Sequence, residues 1–116
     1  MAISEPYELD GVTVSAELSI VSGTTSLQSV TDDGVYQLWV DAVADMVKGD
    51  ELVIKIKEKV EATGGTQRVV FQATLSDAQS EVFVSPTLIL MHGWDMTLET
   101  TAGTSIVCDA SIRKIA

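Results

Sequence analysis

Asparagine is missing from this sequence altogether, which rules out Asn-Gly hairpin turns and any N-glycosylation acceptor. Cysteine occurs once, as Cys108, so no internal disulfide can form and the fold cannot depend on an oxidising compartment. Histidine also occurs once, as His92, which excludes a metal site built on a histidine pair. No apolar run approaches the roughly 20 residues that a membrane-spanning helix needs. Basic residues are scarce too: 7 Lys and Arg stand against 17 Asp and Glu, for a net charge of −10. The deficit is concentrated in residues 1–50, where nine acidic groups face only Lys48 (a balance of −8). Residues 51–116 carry eight acidic and six basic groups (−2). Such a surface repels phosphate backbones and disfavours nucleic-acid binding, while favouring a basic partner surface. The stretch Met1 to Asp10 lacks the basic-then-apolar order of a signal peptide, so folding in a cytoplasm is expected.

What the chain does have is 116 residues, room for one domain, with an apolar fraction of 46% that supports a core without covalent staples. Gly11 to Ile20 alternates cleanly, with Val12, Val14, Ala16, Leu18 and Ile20 on one face of a half-buried strand. Leu27 to Thr31 reads as a short edge piece. After the turn Asp32-Asp33-Gly34, both alternating sets of Val35 to Val40 are apolar. The strand is therefore expected to be covered on both sides or to lie at an interface. Asp41 to Val47 is the one stretch with helical spacing, with Asp41 as its N-cap and Gly49-Asp50 as its end.

Leu52, Ile54 and Ile56 alternate with Val53, Lys55 and Lys57, and the glycines of Glu61 to Thr66 form a hairpin loop. The return strand, Gln67 to Leu75, puts Val69, Phe71, Ala73 and Leu75 on one face. Pro86 interrupts the run from Glu81 to Met91. Trp94, Met96 and Leu98 mark a further strand, and Ile106, Cys108, Ala110 and Ile112 share a face of the next. Short strands with turn signals every eight to twelve residues define an all-β fold. The expectation is an antiparallel β-sandwich, or a small jelly-roll or Ig-like barrel, of seven to nine short strands with one short helical turn. Residues 1–10, which show no strand pattern of their own, are expected to be a pendant N-terminal arm on a single domain spanning 11–116.

The candidate chemistry is thin. His92 sits in a turn with no nucleophile and orienter arranged around it, so a structural or interface role is expected. Cys108 lies on an apolar strand face beside Asp109, the reverse of the positive setting that activates a thiolate. Asp32-Asp33-Gly34 lacks the spaced acidic ligands of a calcium loop, and turn chemistry explains it better. Gly64-Gly65 is not followed by the Lys-Ser or Lys-Thr of a phosphate loop. Lys55, Lys57 and Lys59 read as a solvated strand face. Trp39 and Trp94 each belong to an alternating apolar set, which points to core packing. A sugar-binding platform would need one of them, or Tyr36, exposed in a groove. No catalytic residue, cofactor or metal site is expected, and the chain is read as a non-enzyme.

Asp33 to Asp41, Gly49 to Lys59, Gln67 to Phe71, Ser85-Pro86, Gly93 to Thr104 and Ser111 to Lys114, taken in order, have a counterpart. Over residues 30–116 they resemble a group of small, mostly uncharacterised proteins of tailed bacteriophages and prophages that look like virion structural components. The Trp-x-x-Thr-Leu and Thr-Ala-Gly-Thr segments are the distinctive part. The resemblance implies a virion β-domain that decorates or cements the capsid, with a neck or tail component as the alternative. A carbohydrate- or host-binding module is the remaining class. The implied partner is the major capsid protein or another virion protein, with no nucleic acid and no membrane. A homo-oligomer is expected, a trimer being favoured. Ile3, Pro6, Tyr7 and Leu9 of the arm are the expected partner contacts, and Val35, Tyr36, Leu38 and Val40 the expected self-association surface.

Overall fold

The computed structural model describes residues 2–115. Nine strands follow one another in the chain: β1 (Ile3–Val14), β2 (Leu18–Ser19), β3 (Gly34–Asp41), β4 (Glu51–Glu58), β5 (Arg68–Ser76), β6 (Phe83–Val84), β7 (Leu88–Leu90), β8 (Asp95–Ala102) and β9 (Ile106–Ile115). They form two antiparallel sheets packed as a sandwich. The first runs β1-β9-β3-β6 with β7 also on β3, and the second runs β2-β8-β4-β5. The all-β sandwich read from the sequence is the observed architecture.

The two sheets are joined by the Gly11–Ile20 segment that looked like one strand. It bends at Ser15–Ala16, so that β1 pairs with β9 in one sheet and β2 with β8 in the other. Val14, Leu18 and Ile20 are buried as the alternation predicts, but the bend leaves Ala16 exposed and turns Ser19 inward. Between the sheets lies a core of aliphatic side chains around Trp94 and Tyr36, with Leu38, Ile54, Ile56, Met96, Leu98, Ile106 and Ile112 fully enclosed. Tyr36 and Trp94 pack with ring centroids 4.6 Å apart, and both the Tyr36 hydroxyl and the Trp94 indole N–H donate to the Asp32 carbonyl. Asp32 is thus a polar anchor for two buried aromatics, and its carboxylate also takes Lys114.

Three expectations change. The Asp41–Val47 stretch forms no helix. A single turn closes where the Met46 N–H donates to the Ala42 carbonyl, with the Asp41 carboxylate accepting from the Val43 N–H as an N-cap would. The expected arm is largely integral, because residues 3–10 belong to β1 and pair with β9 from Ile3↔Ile115 onward. The strand went unseen because β1 carries two bulges, at Glu5-Pro6 and at Asp10-Gly11. Each inserts a residue that resets the alternation, so Tyr7, Leu9, Val12 and Val14 face inward although nine and twelve differ by three.

The third change concerns β3. Tyr36, Leu38 and Val40 are fully buried under the second sheet and cannot meet a second copy; only Val35 of the expected set lies on the outer side. The strand is apolar on both faces for a different reason. Trp39 and Val35 decorate the outside of the sheet.

Candidate functional site

The outer face of the first sheet is where the molecule departs from an ordinary sandwich exterior, which is usually polar and solvated. Its strand register brings four aliphatic side chains into one row across four strands. Ile89 of β7 is opposite Val35 of β3, Val35 is opposite Ile115 of β9, and Ile115 is opposite Ile3 of β1. Ile89 is 76% exposed and Ile3 68%, with Val35 and Ile115 half-buried between them. Surface aliphatics scattered singly are common, and here four of them stand in one register row across the sheet. Two residues singled out from the sequence for separate roles, Ile3 and Val35, thus belong to one strip.

Of the other expected contacts, Pro6 is exposed in the first bulge. Tyr7 packs edge-on to Trp94 at 6.1 Å and Leu9 packs on the core; both are half-buried, and Leu9 also borders the groove beside this strip.

Farther along the same face lies an open groove of about 320 Å³ lined by Trp39, Arg113, Glu8, Asp10, Asp41 and Asp109 among others. Trp39 is therefore not a core residue as expected. Its indole N–H donates to the Gln37 side chain at 3.0 Å, and Gln37 donates in turn to the Ser85 carbonyl, which fixes the ring. The Arg113 guanidinium lies 3.9 Å from the ring centroid in a cation–π contact. Arg113 is the one basic group of the lining. Asp41 and Asp109 are direct cross-strand partners, an arrangement that repels. The Asp109 carboxylate is partly compensated by the Gly11 N–H at 2.7 Å, which the second bulge and a left-handed Gly11 (φ 63°) aim at it.

At the first bulge the Ser111 hydroxyl donates to Glu5, and this bond, with help from Arg113, holds the Glu5 carboxyl below its usual range. The Glu8 carboxyl is pushed upward, first by its hydrogen bond to Glu5 and then by the charges of Glu5, Asp10 and Asp109. The groove is an acidic recess with an aromatic floor.

The remaining candidates have structural employment. His92 is half-buried after β7, where its backbone N–H donates to the Glu58 carboxylate and its backbone carbonyl accepts from the Lys59 N–H. Cys108 is buried, and desolvation, reinforced by Asp109, Asp41 and Asp45, pushes its thiol up to about 12. Lys57 pairs with Glu17 at 2.7 Å, and Lys55 with Glu99 at 3.8 Å, on the outside of the second sheet. Burial alone would raise the Glu17 carboxyl, but bonds from Lys57 and Thr97 hold it below its usual value. Among the described residues, no group of three or more His, Cys, Asp or Glu side chains could hold a metal ion.

The chain matches no family model, and no curated protein is detectably similar to it. Fold and surface chemistry are therefore what define it: a β-sandwich with an aliphatic strip and an acidic, aromatic groove on one sheet face.

Proposed function

We propose that this protein is a structural component of a tailed-phage virion, and specifically a decoration or cement protein that binds the major capsid protein on the head shell. The observation that carries the reading is the exposed aliphatic row Ile89, Val35, Ile115 and Ile3 on a sheet face that a free-standing sandwich would keep polar. Beside it, the acidic groove gives the same face a charge that suits a basic capsid surface. The resemblance of residues 30–116 to virion components points the same way, and it serves a neck or tail protein as well as a head protein. Contact through a sheet face replaces the flexible arm expected from the sequence. Many copies on a symmetric shell make weak single contacts sufficient, because each is reinforced by avidity. On this reading the protein carries out no catalysis.

The half-buried Trp39 in a groove favours a second reading, a carbohydrate-binding module. Arg113 already occupies a face of that ring, so a sugar would have to displace it.

Co-sedimentation with undecorated shells of the encoding phage tests the proposal. Wild-type protein should saturate the shells, and the double variant Ile3→Asp/Ile89→Asp should lose binding. Its stability should stay within about 0.5 kcal/mol, since both positions are exposed. Undiminished occupancy by the variant, or no binding by wild type, would overturn the proposal.

A further inference from the structure

The two lateral sides of the sandwich are protected very differently. One long edge is β1, which carries Pro6, two bulges and the acidic Glu5, Glu8 and Asp10. These are the devices by which sheet proteins block addition of another strand. The opposite side is formed by β5 in the second sheet and β6 in the first, whose Phe71 and Phe83 rings meet across the gap with centroids 6.4 Å apart. β5 has a single bulge near its start, at Val70, where Ile56 and Lys57 are opposite Phe71 and Val69. From Phe71 to Ser76 it is straight, free of proline and free of charge. In a chain of net charge −10, the span between Glu61 and Asp77 holds no acidic residue at all, and its only charge is Arg68. Val69, Val70, Val82 and Val84 are each 40% exposed or more along this side, and Phe71, Leu75 and Phe83 are only half covered.

We propose that β5 is a self-association edge, pairing antiparallel with β5 of a second copy about a two-fold axis to make one continuous eight-stranded sheet. Charge selects a second copy as the occupant. This is the one long edge at which two such acidic molecules approach without bringing carboxylates together. An antiparallel two-fold pairing requires residues on the same face to meet, so the axis passes midway between a residue and its own copy. Of the two central residues of the straight stretch, Ala73 and Thr74, Ala73 sets the register that brings Arg68 near Asp77. Centred there, Phe71 is opposite Leu75 of the other copy and Gln72 is opposite Thr74. Arg68 then lies diagonal to Asp77, one favourable charge pair at each end. The pairing satisfies open backbone donors and acceptors and covers the half-exposed aromatic seam. It gives a two-fold assembly in place of the trimer expected from the sequence, and it leaves the aliphatic strip on the other sheet free.

Sedimentation velocity on the full chain tests this. Wild type should run at roughly twice the 12.4 kDa chain mass. The variant Gln72→Glu/Thr74→Glu puts like charges directly opposite across the two-fold at exposed positions and should run as a monomer that still melts cooperatively. Ile89→Asp should remain dimeric. Ala73→Cys should cross-link across the axis under mild oxidation, with the buried Cys108 contributing nothing. A monomeric wild type, or a dimer that survives the double glutamate variant, would overturn the proposal. So would a dimer dissolved by Ile89→Asp.

Discussion

At the scale of single residues, the buried polar groups explain features that apolar patterning leaves open. Pro86 interrupts the strand run that lies along β3, and the ladder is repaired by Ser85. Its hydroxyl accepts the buried Leu38 N–H at 2.9 Å and donates to the Pro86 carbonyl, while its own N–H donates to the Leu38 carbonyl. Asp95, fully enclosed, is the second case. Its carboxylate accepts from the Ser19 hydroxyl and from the Gln28 and Met96 N–H groups, and burial still pushes its pKa upward. Neither role shows in the sequence, where Ser85 only ends the run broken by Pro86 and Asp95 falls on the polar side of the alternating strand that begins at Trp94. Replacing Ser85 by alanine strands the Leu38 N–H without a partner. The expected cost is about 1–3 kcal/mol, the penalty of an unpaired buried donor. Chemical denaturation of Ser85→Ala measures it, and an unchanged midpoint would show that water or the backbone replaces the hydroxyl.

At the scale of elements, the strands with unbroken alternation were the legible ones. β9, with Ile106, Cys108, Ala110 and Ile112 turned inward, behaves as its spacing says. So do β4 and the first half of the Gly11–Ile20 segment, whereas past its bend Ala16 is exposed and Ser19 is buried. The illegible strand was β1, where Pro6 and two extra residues disguise a continuous element as a loose tail. The candidate face was legible only in fragments. Ile3 and Val35 could be named, but their alignment with Ile115 and Ile89 is a fact of inter-strand register that a single sequence does not carry. Trp39 failed for a related reason. When both faces of a strand are apolar, spacing cannot say which one is inside. Deleting residues 2–10 should therefore damage the fold as well as any docking. Tyr7 and Leu9 leave the core, and β9 loses most of its outer partner. Losing two half-buried large side chains together with the Ile3–Leu9 ladder removes a large part of the stability of a small domain, which is about 5–15 kcal/mol. Thermal melts by circular dichroism should show a much lower midpoint or no cooperative transition. An unchanged melt would return these residues to the status of an arm.

At the scale of the whole molecule, charge dominates. Only three ion pairs form among the described residues, against a total of seventeen acidic groups, so repulsion outweighs attraction in the folded state. Salt should consequently stabilise this protein. Raising ionic strength from about 0.01 to 0.15 M shortens the screening length from about 30 to 8 Å and mutes repulsion across a body 42 × 33 × 20 Å in extent. A melting temperature that rises with sodium chloride is expected, and a fall would mean that the few ion pairs outweigh the acidic excess. The order of the first sheet has a further consequence. Because β9 lies between β1 and β3, β1 has no neighbour until nearly all of the described chain has been synthesised. During translation β1 must therefore wait as an unpaired, aggregation-prone segment. The same proline and carboxylates that guard the finished edge would keep it soluble at the ribosome until β9 emerges.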